Sequence, residues 1–270
     1  VPSGTPLGIL ERRVPFGLRE AVETVNRALA DLCRGDPRSL LYDYDAFCAG
    51  IGKDRLTDDK LAVLAEMRIA PRHLPALADA VLAFLRPALG RFRKALVLDL
   101  DNTLWGGILG EEGPDGIRLG PDGPGRAFQE FQQALAGLAS RGVMLAVCSN
   151  NDPDLARRTI REHPHMVLRE DRFAATEISW EDKTVKIARI REALRVGWDA
   201  ITVLDDDARV RAMLRQAHPG LFVPDLPDDP AQFVRFLRDL PGFDTLQWTA
   251  EDRARTSMAR ADAGRRALAG

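Results

Sequence analysis

The stretch from Lys94 to Gly107 constrains this chain more than any other: Lys-Ala-Leu-Val-Leu-Asp-Leu-Asp-Asn-Thr-Leu-Trp-Gly-Gly. Its apolar run, Ala95 to Leu98, ends in Asp99-Leu100-Asp101. A run that short and that apolar suits a strand buried on both faces, as in a parallel sheet. Side chains alternate along a strand, so Asp99 and Asp101 project to the same side. Two carboxylates at the exit of a buried strand repel each other unless something positive sits between them. A divalent metal supplies that charge. Open α/β sheets bind their ligands at the carboxyl ends of the strands, where this pair lies.

The rest of the chain supplies the sheet that such a strand needs. Residues 1–17 are dense in breakers (Pro2, Pro6, Pro15, Gly4, Gly8, Gly17) and read as an irregular lead-in. Leu18, Val22, Val25, Leu29 and Leu32 recur at helical spacing. Leu40 to Tyr42 reads as a short strand, and helices are predicted over Asp58 to Met67 and Leu74 to Leu89. After the central strand, Leu104 to Pro124 is rich in glycine and acid, with a strand-like island at Ile117 to Leu119. That segment suits a hairpin flap over the strand ends. A helix from Ala127 to Arg141 precedes a second buried strand, Val143 to Val147, which ends in Cys148-Ser149-Asn150. Asp152-Pro153 opens a helix with an N-cap and a first-turn proline. Further strands are predicted at Phe173 to Ile178, Ala200 to Leu204 and Leu221 to Val223. Helices are predicted at Glu181 to Val196, Arg209 to Gln216 and Ala231 to Leu237. Strand alternating with helix implies a parallel sheet with helices on both faces.

Three divisions follow: an α-rich region over 1–92, an α/β catalytic domain over 93–248, and a charged C-terminal helix over 249–270. A length of 270 residues fits one or two domains. The net charge of −2 gives no reason to expect nucleic acid or an anionic membrane as a partner. The widely spaced Cys33, Cys48 and Cys148 read as reduced thiols, which places the protein in the cytoplasm. No apolar run is long enough to span a bilayer, and no signal peptide is recognisable. The first residue is Val1, so a trimmed chain or a piece of a longer synthase is expected.

Three buried strands thus end in reactive polar residues: Asp99/Asp101, Cys148/Ser149 and Asp205/Asp206/Asp207. Lys183 lies between the last two, early in a helix. This set, in this order, resembles the haloacid-dehalogenase-like (HAD) phosphotransferase superfamily. Asp99-Leu100-Asp101-Asn102-Thr103 is similar to its Asp-x-Asp-x-Thr motif, Ser149 to its strand-end Ser or Thr, Lys183 to its lysine (with Lys186 as a rival), and Asp205-Asp206 to its acidic pair. The resemblance implies a HAD-like Rossmannoid sheet with a minimal cap. It also implies roles: Asp99 as nucleophile toward phosphorus, Asp101 as general acid and base, and Lys183 and Ser149 balancing the charge of the transferring group. Mg²⁺ would be held by Asp99, Asp101 and Asp206 with help from Asp205, and Thr103 and Asn150 would line the substrate.

A closer resemblance, to the FkbH-like proteins of polyketide biosynthesis, covers nearly the whole chain. It rests on Leu98 to Gly113, Cys148 to Asp152, His163 to Arg169, Phe173 to Ala175, Ser179 to Lys183 and Val223 to Pro227. It implies dephosphorylation of 1,3-bisphosphoglycerate, or a related phosphorylated three-carbon acid. The glyceryl unit would then pass to the phosphopantetheine thiol of an acyl carrier protein. Residues 1–92 resemble the end of an SGNH-hydrolase-like region. Two alternatives stand beside this activity, a stand-alone phosphatase and a non-catalytic docking domain of a synthase.

Several residues keep two readings. Cys148 either accepts the acyl group as a thioester or, facing away from Ser149, packs in the core. Trp105 either packs the flap or lines the acyl pocket. The sequence departs from the FkbH-like pattern at three places: Asn150 replaces a lysine, Lys186 an asparagine, and Asp207-Ala208 an Asn-Pro. A lost lysine and a gained aspartate make the rim less attractive to a doubly phosphorylated substrate.

Overall fold

The structure is a computed structural model that describes residues 4–36, 38–245 and 258. The described residues fall into two compact units, one ending at Ala88 and the next beginning at Leu89. The charged helix expected over 249–270 lies outside the described residues, Met258 apart.

The first unit is helical: α1 (Leu18–Gly35), α2 (Tyr44–Ile51), α3 (Lys53–Leu56), α4 (Asp59–Leu64) and α5 (Leu74–Ala88). Aspartates start two of these helices. Asp43 accepts from Ala46 N at 2.9 Å and Asp58 from Leu61 N at 3.1 Å, each meeting a backbone donor that the helix leaves unpaired. The strand expected at Leu40 to Tyr42 is absent, because no strand lies beside it to form a ladder.

In the second unit four strands form one parallel sheet in the order β3-β2-β1-β4. They are β1 (Ala95–Leu98), β2 (Met144–Ser149), β3 (Phe173–Ile178) and β4 (Ile201–Leu204). β1 sits in the interior with every side chain buried, as its apolar run predicts. Strand alternation sorts the core into two layers. Leu96, Leu98, Leu145 and Val147 face α7 (Gly123–Ser140), α8 (Pro153–Glu162) and α11 (Phe233–Asp239). Ala95, Val97, Ala146 and Cys148 face α9 (Lys183–Leu194) and α10 (Ala208–Ala217). Asp152 caps α8 through Leu155 N at 2.7 Å, with Pro153 in the first turn, as the sequence indicates. The expected strand at Leu221 to Val223 is reduced to a single bridge between Phe222 and Thr202.

The segment after β1 forms a small flap. It contains the single-turn α6 (Leu109–Glu112) and closes with an antiparallel bridge between Gly106 and Arg118.

Candidate active site

Three crossovers bring the strand exits to one edge of the sheet, and the chain spends charge there. Asp99, directly after β1, is buried. Its Oδ2 lies 3.0 Å from Lys183 Nζ, which also touches Asp205 Oδ2 at 2.6 Å. Lys183 is the first residue of α9. Asp182 caps that helix by accepting from Thr184 N at 2.7 Å, which fixes where the lysine points. Burial pulls the ammonium pKa down, but the Asp99 and Asp205 carboxylates outweigh it and raise the value, so Lys183 stays charged. Burial and the nearby Asp99 charge push the Asp205 carboxyl up to about 6 against the pull of Lys183. Burial and Asp99 likewise raise Asp206.

Asp99, Asp205 and Asp206 each offer an oxygen within 4.8 Å of the others. Asp99 Oδ1 is buried and has no hydrogen-bond partner. A buried carboxylate oxygen left bare is costly unless a cation or substrate meets it. Three hard oxygen donors around one orphaned atom fit a divalent metal ion. Arg211 braces this acidic corner, donating to the carbonyls of Asp205 at 2.9 Å and Asp206 at 2.7 Å. Asp207 is exposed and turns toward the start of α10. Its carboxylate accepts from Arg209 N at 2.8 Å and caps α10.

Asp101 lies two residues beyond Asp99, held by three donors. Trp105 Nε1 donates to its Oδ1 at 2.8 Å, Leu109 N to the same oxygen at 3.2 Å, and Asn151 Nδ2 to Oδ2 at 3.1 Å. Burial nevertheless raises its pKa, with Asp99 adding to the rise and the donors opposing it. Trp105 itself is fully buried, so its indole serves Asp101 from inside the flap. Asn102 takes a left-handed backbone, φ 52°, and its Oδ1 accepts from Gly107 N at 2.9 Å, turning the chain from strand into flap. Thr103 is wholly buried and its hydroxyl has no partner.

Ser149 is buried at the end of β2, and Asn150 beyond it is exposed. The two departures in this region meet each other. Lys186 Nζ donates to Asn150 Oδ1 at 2.5 Å, to Ser149 O at 2.8 Å and to Ser179 O at 2.7 Å. Asn150 is therefore tied to a buried ammonium on α9, whose three acceptors are all uncharged. Its positive field offsets the carboxylates without being cancelled by a direct ion pair. The site thus has four carboxylates (Asp99, Asp101, Asp205, Asp206) against two ammonium groups, an excess of two negative charges when all are ionised, as a divalent cation requires.

Cys148 points the other way. It is 2% exposed in the core layer under α9, and burial pushes its thiol up to about 12 against the pull of Lys186 and Lys183. A thiol with that value is protonated at neutral pH, and the thiol form is a poor nucleophile.

Asn151 and Arg211 support the site without having stood out in the sequence as site residues, and Lys186, the rival to Lys183 as motif lysine, joins the site beside it. One signal was available for Lys186. It follows Lys183 by three residues and precedes Ile187 and Ile190, so it lies on the buried face of α9.

No protein-family model and no curated protein matches the chain. Solved structures do. One is the N-terminal part of the protein BF1531 from Bacteroides fragilis, which contains a phosphatase domain complexed with Mg. It is 31% identical, with a TM-score of 0.85 over 92% of this chain and 66% of that one. The chain has the fold of a HAD-type phosphatase domain. It spans just under two thirds of the BF1531 structure. A HAD-superfamily hydrolase of subfamily IA from Geobacter sulfurreducens PCA also matches, at 16% identity and a TM-score of 0.37, over 53% of this chain and 99% of that one.

Proposed function

We propose that the chain is a Mg²⁺-dependent phosphatase working through an aspartyl-phosphate on Asp99, and that this chemistry serves acyl transfer to a carrier protein. The observation that carries the first part is Asp99 itself. One oxygen is pinned by Lys183, the other is buried and bare, and Asp205 and Asp206 complete a three-carboxylate cluster around it. The Mg of the BF1531 structure supports the choice of metal.

Each step uses this chain's own residues. Asp99 Oδ1 forms a bond to phosphorus while the bond from phosphorus to the organic oxygen breaks. Asp101, whose pKa burial raises, gives its proton to that leaving oxygen. Water then attacks the aspartyl-phosphate, Asp101 takes the water proton, and the Asp99–phosphorus bond breaks to release phosphate. Lys183 and Lys186 hold positive charge beside the phosphoryl group through both steps. Bound Mg²⁺ would draw charge from the phosphoryl oxygens and relieve repulsion among Asp99, Asp205 and Asp206.

The finer reading takes a phosphorylated three-carbon acid such as 1,3-bisphosphoglycerate. The carrier's phosphopantetheine thiolate attacks the acyl carbon and expels the first phosphate. Asp99 removes the second from the other end. Cys148 takes no part, because it is buried and protonated, so transfer to the carrier is direct. That burial also favours a second reading, a phosphatase with no acyl transfer, since the chain then offers no reactive thiol at the site.

The deciding experiment incubates the protein with 1,3-bisphosphoglycerate, Mg²⁺ and a holo carrier protein, then weighs both proteins and measures phosphate. A carrier that gains a glyceryl unit supports acyl transfer. Phosphate release with an unchanged carrier supports the second reading. Release no faster than without enzyme overturns both.

A further inference from the structure

A cavity of about 430 Å³ opens beside the acidic cluster and shares Asp206 with it. This is the size of a small-molecule pocket. Its walls are mainly apolar, with Phe128, Leu226 and Phe233 among them, and Arg118 and Asp228 are its other charged lining residues. The two phenylalanine rings meet edge to face at 5.9 Å, and both side chains are buried, so this wall is packed and preformed.

Arg118 is placed there by the flap. Its backbone pairs with Gly106 in both directions, at 3.0 Å and 2.7 Å. A Cβ on Gly106 would stand 2.6 Å from the Phe128 ring and 2.9 Å from Arg118 Nε. Glycine at 106 leaves room for both the Arg118 side chain and the Phe128 ring. The Arg118 guanidinium forms an ion pair with Glu112 at 3.5 Å, between half-exposed side chains. Such a pair contributes little and exchanges easily. A guanidinium fork is well suited to two oxygens of a carboxylate or phosphate. Asp228 and Asp206 repel an anion from the rest of the lining, which leaves Arg118 as the place to receive one.

The geometry points to a second anion subsite. With the phosphoryl group at Asp99, the organic part of the substrate occupies this cavity, and Arg118 binds an anionic group at its far end. The preferred substrate class is then a phosphate ester or acyl phosphate that carries a second anion, either carboxylate or phosphate. This inference rests on the proposed phosphatase function and assigns Arg118 as the residue that reads the second anion of its substrate.

The test uses binding of inert phosphonates, so turnover does not enter. Benzylphosphonate, 4-carboxybenzylphosphonate and 1,4-xylylenediphosphonate are titrated by calorimetry in Mg²⁺ into the wild type and Arg118→Gln. A charge-assisted contact predicts that a second anion raises wild-type affinity roughly tenfold, with no such gain in Arg118→Gln. Whichever second anion gains more identifies the group read. Equal affinity of all three ligands for the wild type overturns the subsite, as does a gain that survives in Arg118→Gln. Failure of benzylphosphonate itself to bind strikes the proposed function, and the subsite falls with it. Arg118→Lys distinguishes fork from point charge: it retains part of the gain.

Discussion

Replacing Lys183 with methionine removes the one ammonium that lies between Asp99 and Asp205, at 3.0 Å and 2.6 Å. All three side chains are less than a tenth exposed, so water cannot take over the screening. Breaking a buried pair by deleting one partner costs about 3–5 kcal/mol. The low end applies here, because Asp205 can shed its charge by binding a proton. In the fold it titrates near 6, against 3.8 as its ordinary value. The folded value is the raised one, so between about pH 4 and pH 6 the native state holds the extra proton. Stability from this group therefore falls as pH rises through that window, by about 3 kcal/mol for a shift of that size. Without Lys183 the shift grows, and the variant's deficit grows with it at neutral pH. Toward pH 4 Asp205 takes up its proton in either protein, so the wild-type ammonium loses that counter-charge. The gap must narrow as pH falls. Urea unfolding of both proteins in a chelator, near neutral pH and near pH 4, measures it. A gap that stays constant, or widens toward acid, refutes the electrostatic reasoning.

Three more outcomes follow from the same contacts. Trp105→Phe removes a hydrogen bond that favours ionised Asp101, so that group's pKa rises further and the alkaline limb of the pH–rate profile moves to higher pH. Rate profiles of the two proteins check this against an unmoved limb. Cys148→Ala leaves phosphate release and carrier acylation near the wild-type rate, since the thiol is buried and protonated. Its cost is in stability, on the order of 1 kcal/mol for the small void, read by denaturant unfolding. Added Mg²⁺ is expected to raise the thermal midpoint of the wild type, and Asp206→Asn, which weakens the cluster for a cation, is expected to shrink that rise. An equal rise in both proteins would remove Asp206 from the ligand set.

The parts of the fold legible in the sequence were those that a residue and its close neighbours decide. Ala95–Leu98 and Ile201–Leu204 are short apolar runs closed by aspartates, and both became buried parallel strands. Asp152-Pro153 starts a helix because its capping chemistry is local. Leu40 to Tyr42 and Leu221 to Val223 look like strands by the same local rule. A ladder needs a neighbour, and the first segment has none while the second has one bridge. Alternation along β2 leaves Ser149 and Cys148 facing opposite ways, and the apolar side chains around Cys148 show which side is core. Long-range partners were out of reach. Nothing near Lys186 in the chain announces that its ammonium meets Ser149, Asn150 and Ser179. Nor does Trp105 reveal from sequence that its N–H serves Asp101 from inside the flap.

The central claim is that phosphorus is transferred to Asp99. The direct measurement is to incubate Asp101→Asn, which cannot activate water for the second step, with acetyl phosphate and Mg²⁺. The reaction is then quenched in acid, and the phosphoryl group is located by peptide mass spectrometry. The account predicts one phosphoryl group, on the peptide carrying Asp99, and none when Asp99→Asn is added. A phosphoryl group on another residue contradicts it, as does release of phosphate by Asp99→Asn at the wild-type rate.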